Sequence, residues 1–118
     1  MFEKGDVVKY IGDSQRWKNK EFTIVNDPVQ RDRSVLHCIR NNMTYFRIFT
    51  TDQVEKVESI PKFQTGTIVD VKTLIYNDPN RIGIIKLSNH LGSIVRYPLG
   101  GFAHREDYIP NSRLRLSK

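Results

Sequence analysis

The chain repeats itself. Phe2, Gly5 and Val8 recur as Phe63, Gly66 and Val69, each 61 positions further on. Glu21-Phe22-Thr23-Ile24-Val25 is then echoed by Arg81-Ile82-Gly83-Ile84-Ile85 at a spacing of 60, and the halves close on Val54-Glu55-Lys56-Val57 and Leu114-Arg115-Leu116. Matches that keep their order along the chain mark a duplicated structural unit. Two copies within 118 residues are very small domains, and with 38% hydrophobic residues each can build only a modest core. The join is expected near Ser59-Ile60-Pro61-Lys62, because proline cannot donate to a strand ladder. That gives domains 1–60 and 61–118.

Within each unit the local signals are those of strands. Asp6 to Tyr10 and Glu21 to Val25 are short, rich in β-branched and aromatic residues, and bounded by Gly12-Asp13-Ser14 and Asn26-Asp27-Pro28. Ser34 to Arg40 and Met43 to Phe49 read as a hairpin closed by Asn41-Asn42, since asparagine tolerates the positive φ of a two-residue turn. In the second unit Gly66 to Val71, Arg81 to Leu87 and Ser93 to Tyr97 read likewise, with turns at Asn77-Asp78-Pro79-Asn80, Ser88-Asn89-His90 and Pro98-Leu99-Gly100-Gly101. No segment sustains helical periodicity. Single helical turns are expected only near Thr51-Asp52-Gln53 and Arg105-Glu106-Asp107-Tyr108. The fold class is therefore all-β, two tandem small barrels, because closure removes the sheet edges that invite aggregation. Alternation assigns Val7, Phe22, Ile24, Ile48 and Val57 to the first interior and Ile68, Ile82, Ile84, Ile94 and Leu114 to the second; a one-residue slip would reverse the faces.

The opening Gly5-Asp6-Val7-Val8-Lys9-Tyr10-Ile11-Gly12, followed by Trp17-Lys18-Asn19-Lys20-Glu21-Phe22-Thr23-Ile24-Val25, resembles SH3-like barrels of the KOW type. Gly66-Thr67-Ile68-Val69 and Asn80-Arg81-Ile82-Gly83-Ile84-Ile85 resemble the same pattern, with Gly83 holding the position of the family's turn glycine, where the first unit has Phe22 or Thr23. Small basic proteins that open this way are also similar to short accessory proteins of bacteriophages and Gram-positive mobile elements. The resemblance implies a binding role, toward RNA, RNA polymerase or other proteins.

Catalysis finds little to stand on. Cys38 follows His37 directly, and neighbours in a strand point to opposite faces, so Cys38 reads as a packed thiol. His37, His90 and His104 lack the spacing of a zinc site, and Gly100-Gly101 lacks the Lys-Ser/Thr that follows a phosphate-cradling loop. No enzyme, metal or cofactor is expected. Recognition has more support. The net charge is +6, of which +5 falls on residues 62–118 (nine Lys/Arg against four Asp/Glu), making the second unit the expected seat of an acidic partner. Arg16, Trp17, Lys18 and Lys20 set the single tryptophan among cations, either as a stacking surface or as a lid on the barrel. Arg31, Arg33, Arg40 and Arg47 surround the hairpin; Arg81, Arg96, Tyr97, His104 and Arg105 form the candidate surface of the second unit.

Two functions compete. One is a nucleic-acid-binding module, for RNA more than DNA or for the transcription or translation machinery. The other is an adaptor on an acidic protein surface such as RNA polymerase, in the manner of a phage modulator of a host enzyme. A single cysteine, no apolar run long enough to span a bilayer and no secretory pattern at Met1-Phe2-Glu3-Lys4-Gly5 point to the cytoplasm and no membrane partner.

Overall fold

Each repeat opens on a glycine in the left-handed region, Gly5 at φ 95° and Gly66 at φ 91°, where a Cβ would be strained. In both places the glycine N–H donates 2.7 Å to a carbonyl of the second strand, that of Ile24 or of Ile85. The computed structural model describes residues 2–42, 45–72, 81–98 and 105–117, with Arg81 described in its backbone alone. The chain divides into two compact units, Met1–Ile60 and Pro61–Lys118.

The first unit contains β1 (Val7–Tyr10), β2 (Glu21–Ile24), β3 (Val29–Arg31), β4 (Ser34–Arg40), β5 (Phe46–Thr50), a 3₁₀ turn at Thr51–Gln53 and β6 (Val54–Val57). Every pairing is antiparallel, and the strands lie in the order β5-β4-β2-β1-β6, with β3 alongside the first half of β4. The second unit contains β7 (Ile68–Val71), β8 (Arg81–Ser88), β9 (Gly92–Arg96), β10 (Glu106–Pro110), a 3₁₀ turn at Asn111–Arg113 and β11 (Leu114–Leu116), ordered β10-β9-β8-β7-β11. The two paths are the same. A four-strand meander is followed by a 3₁₀ turn, and the last strand returns to pair with the first. Both units are all-β, SH3-like barrels.

Register makes the correspondence residue by residue. Val8 faces Phe22 and Val69 faces Gly83; Ile24 faces Ile39 and Ile85 faces Val95. The repeat therefore keeps its spacing of 61 through the second strand, and Gly83 corresponds to Phe22. Nor is Gly83 a turn residue. It lies within β8, and a Cβ there would collide with Val95 Cγ1, so the close approach of β9 requires glycine.

The core of the first unit is Val8, Tyr10, Phe22, Ile24, Ile39, Phe49 and Val54, with Phe2 and Trp17 packed against it. The corresponding positions of the second unit, Val69, Val71, Ile85, Val95, Ile109 and Leu114, are likewise buried. Phe22, Ile24, Ile94 and Leu114 are buried as alternation predicts, and so is Val7, although the core cluster takes its neighbour Val8. Five assignments fall on the wrong face or short of burial: Ile48 is 55% exposed and Phe49 takes the interior, Ile68 and Ile82 are exposed while Val69 and Ile85 are buried, and Val57 and Ile84 are half-buried. Apolar residues stand side by side in these strands, so a period of two fits either face.

Three local expectations change as well. Arg40 faces Phe46, which leaves five residues between the hairpin strands where a two-residue Asn41-Asn42 turn was expected. Tyr45 N–H closes that loop by donating 2.8 Å to Asn42 Oδ1. Arg105 to Tyr108 gives no helical turn; Glu106–Pro110 is a strand and the turn follows it, at Asn111–Arg113. The three-residue strand β3 has no counterpart in the sequence reading. Met43, the turn at 77–80 and the 99–101 part of the Pro98 turn lie outside the described residues.

A polar contact ties the 3₁₀ turn to the sheet in both units, part-buried in the first and buried in the second. His37 and Thr51 meet at 2.7 Å through Nε2 and Oγ1. At the corresponding place Ser93 Oγ donates 2.8 Å to Asn111 Oδ1, and Asn111 Nδ2 donates 2.7 Å to the Asn89 carbonyl. The chemistry differs and the position is kept.

Candidate nucleic-acid interface

Trp17 sits in the loop between β1 and β2, and backbone bonds hold that loop in place. Asn19 N–H donates 3.1 Å to the Tyr10 carbonyl, Tyr10 N–H donates 3.0 Å to that of Lys20, and Lys20 N–H donates 3.0 Å to that of Trp17. Asn19 turns the chain at φ 62°, a conformation asparagine tolerates better than most residues. Beneath the loop, the Tyr10 hydroxyl accepts from Ser14 N–H at 3.1 Å. The indole is half-buried and meets the edge of Phe22 with ring centroids 6.0 Å apart; Phe22 in turn meets Phe49 at 5.6 Å, and Phe49 meets Tyr10 at 4.7 Å. Trp17 thus ends a row of aromatic rings that runs through the core.

Three cations stand over that indole. The Arg16 and Arg47 guanidinium carbons lie 4.8 Å from its ring centroid and Lys20 Nζ lies 5.4 Å from it. Each such contact contributes about 0.5–1 kcal/mol at an exposed site. Arg47 reaches the ring because it lies on β5 opposite Ile39 and shares the inner face of the sheet. Arg16 and Arg47 also border a groove of about 410 Å³, lined besides by Trp17, Arg40 and Tyr45, by Asn41 and Asn42, and at its floor by Phe22 and Ile39. No carboxylate lines it among the described residues.

The sequence-predicted residues divide accordingly. Arg16, Trp17, Lys20 and Arg47 come together. Lys18 is exposed on the same loop and does not line the groove. Arg31 and Arg33 stand exposed at the β3–β4 turn, apart from the groove lining. Tyr97 is a correction: it is 2% exposed, so its ring belongs to the interior and presents no surface. Arg96 is half-buried on β9, and Arg105 is exposed with its Nε 3.5 Å from Asp107. His104 and the side chain of Arg81 lie outside the described residues. Tyr45, 64% exposed, is the groove residue that sequence reasoning missed. Its signal was the aromatic placed just after the Asn41-Asn42 turn, two residues before Arg47.

The second unit has its own cleft, of about 370 Å³, in which one carboxylate, Asp70, stands among Lys72, Arg113 and Arg115. Asp70 lies 3.9 Å from Arg115, and Arg113 Nη1 donates 3.2 Å to the Lys72 carbonyl. The position of Arg47 is taken there by Asp107, and that of Phe46 by Glu106. The larger net charge of this half does not become a comparable unopposed cluster among the described residues.

Burial pushes the Cys38 thiol up, with the nearby Arg40 charge opposing the shift, so the thiol form is favoured over the nucleophilic thiolate. Burial also holds His37 below the ordinary imidazole range. Among the described residues no three His, Cys, Asp or Glu gather as metal ligands, and no helix is long and apolar enough to cross a membrane.

No family model matches the sequence, and no curated protein does. Among solved structures the chain is similar to the crystal structure of Arabidopsis thaliana AGDP1 AGD34, at 18% identity and a TM-score of 0.36, over 100% of this chain and 84% of that one.

Proposed function

We propose that the protein is a cytoplasmic, non-enzymatic binding module of two SH3-like domains, 1–60 and 61–118, related to the KOW type, and that its first domain binds nucleic acid. The observation that carries this reading is the gathering of Arg16, Lys20 and Arg47 over Trp17, beside a groove that Arg16, Arg40 and Arg47 line and no carboxylate lines among the described residues. Cations held in place by an aromatic ring lose little freedom when they meet phosphates, and neutralising phosphates releases counterions. Trp17 is the single tryptophan, so its fluorescence reports the groove directly. Titration with single-stranded RNA and DNA at low ionic strength is expected to change that fluorescence. The log–log salt slope should be about −2 to −3 for three or four phosphate contacts on a single strand. No association at low salt with either polymer sinks the proposal.

A protein partner is the second reading, and β5 favours it. This strand pairs with β4 alone among the described residues, and its outer face shows Phe46 and Ile48 at 52% and 55% exposure. An extended segment adding to that edge would find both backbone groups and apolar pockets. A complex recovered from nuclease-treated lysate supports this reading; loss of every partner on nuclease treatment removes it.

A further inference from the structure

Trp17 invites the role of a stacking platform, yet its ring is already engaged. A ring has two faces; three cations stand over this one, and the indole packs against the core besides. A base would stack there only by displacing a guanidinium, losing a cation–π contact and a phosphate-binding group together. Another aromatic ring of the groove is open. Tyr45 lines the same groove, is 64% exposed, and is braced at its backbone by the 2.8 Å bond from its N–H to Asn42 Oδ1. Phe46 next to it lies opposite Arg40, on the outer face of β5 and away from Arg47, so it does not share the groove.

We infer that Tyr45 is the base-stacking residue of the groove, that Trp17 positions the cations that hold phosphate, and that the ligand is therefore an unpaired nucleotide within single-stranded nucleic acid. The volume, about 410 Å³, is near the lower end of the range for small-molecule pockets (about 300–1,000 Å³). It suits one nucleotide, and a base inside a duplex stack cannot present its face to a side chain. Aromatic stacking is indifferent to base identity, so the site selects for strandedness and not for sequence. This division of labour rests on the nucleic-acid reading of the groove.

The test uses the full chain with a short single-stranded oligouridylate and with the same strand annealed to its complement. The wild type is expected to bind the single strand more tightly than the duplex. Tyr45→Ala should weaken single-strand binding by about 5- to 150-fold and leave the salt slope unchanged, while Tyr45→Phe should retain it. Arg47→Gln should instead lower the slope by about 0.7. If the wild type binds and Tyr45→Ala binds equally well, the stacking role is wrong while the groove reading stands. Equal affinity for the duplex overturns the single-strand assignment. Absence of any binding by the wild type removes the nucleic-acid reading itself, and this inference with it.

Discussion

The two barrels share a path and differ in what fills it. Tyr10, Phe22 and Phe49 of the first interior are replaced by Val71, Gly83 and Ile109 of the second. The aromatic row in the first unit does two things: it fills the core and it ends at the solvent in Trp17, where the cations collect. Where Phe22 becomes Gly83, the row has no middle and no such surface ring can be propped on it. One core position therefore reaches the surface chemistry of its barrel. Net charge points the other way, toward the second unit, whose cleft sets the carboxylate of Asp70 among Lys72, Arg113 and Arg115.

The largest way to break this contrast is Phe22→Ala. Phe22 is 1% exposed, and truncating so buried a phenylalanine costs about 3–5 kcal/mol. Trp17 fluorescence reports the first unit alone, whereas far-UV circular dichroism reports both. The fluorescence transition in denaturant should move far to lower concentration, with a second transition left in the dichroism; coincident shifts would show that the barrels do not unfold separately. The converse change, Gly83→Ala, forces a methyl into Val95 and should lower the stability of the second unit by about 1–3 kcal/mol, with the Trp17 transition unmoved.

A smaller effect separates the two polar joints. Burial lowers the folded-state pKa of His37, so the unfolded chain binds its proton more readily. Its stabilising contribution is complete above the unfolded imidazole range, near pH 6.5, and is lost as pH falls below that toward the lowered folded value. The slope cannot exceed about 1.4 kcal/mol per pH unit for one proton. Nδ1 is buried without a hydrogen-bond partner among the described residues and the ring meets the edge of Phe2 at 5.3 Å, so an imidazolium there is poorly compensated. The Trp17 transition should weaken between pH 7 and pH 5. The joint of the second unit, built on Ser93 and Asn111, does not titrate. His37→Asn should flatten the first dependence, and a slope that survives it assigns the proton to another group.

Much of the fold was legible because it rests on repetition and punctuation. The paired glycines, the closing apolar strands and the 3₁₀ turn at Thr51–Gln53 were all visible in the residue order. The faces were less so. Ile68-Val69, Ile84-Ile85 and Ile48-Phe49 set two apolar residues side by side, and only the register decides between them. Strand β3 escaped notice because its three residues, Val29–Arg31, are all exposed and carry no alternation. At the site, the loop cations beside Trp17 could be read from their neighbourhood in sequence. Arg47 and Tyr45 arrive from a distant hairpin, so their meeting with Trp17 is a product of strand pairing that no local pattern records.

That meeting also bears on the solubility of the protein. Arg47 lies on β5, the outer strand of its sheet, with its charge turned toward the inner face. A buried-side charge on an outer strand is a guard against self-association: a second copy zipping along β5 would bring another arginine toward the first. An acidic segment, or a ligand that neutralises the groove, lifts that guard. On the proposed reading, the residue assigned to phosphate is thus also the one expected to disfavour pairing of two copies along β5 while the groove is empty.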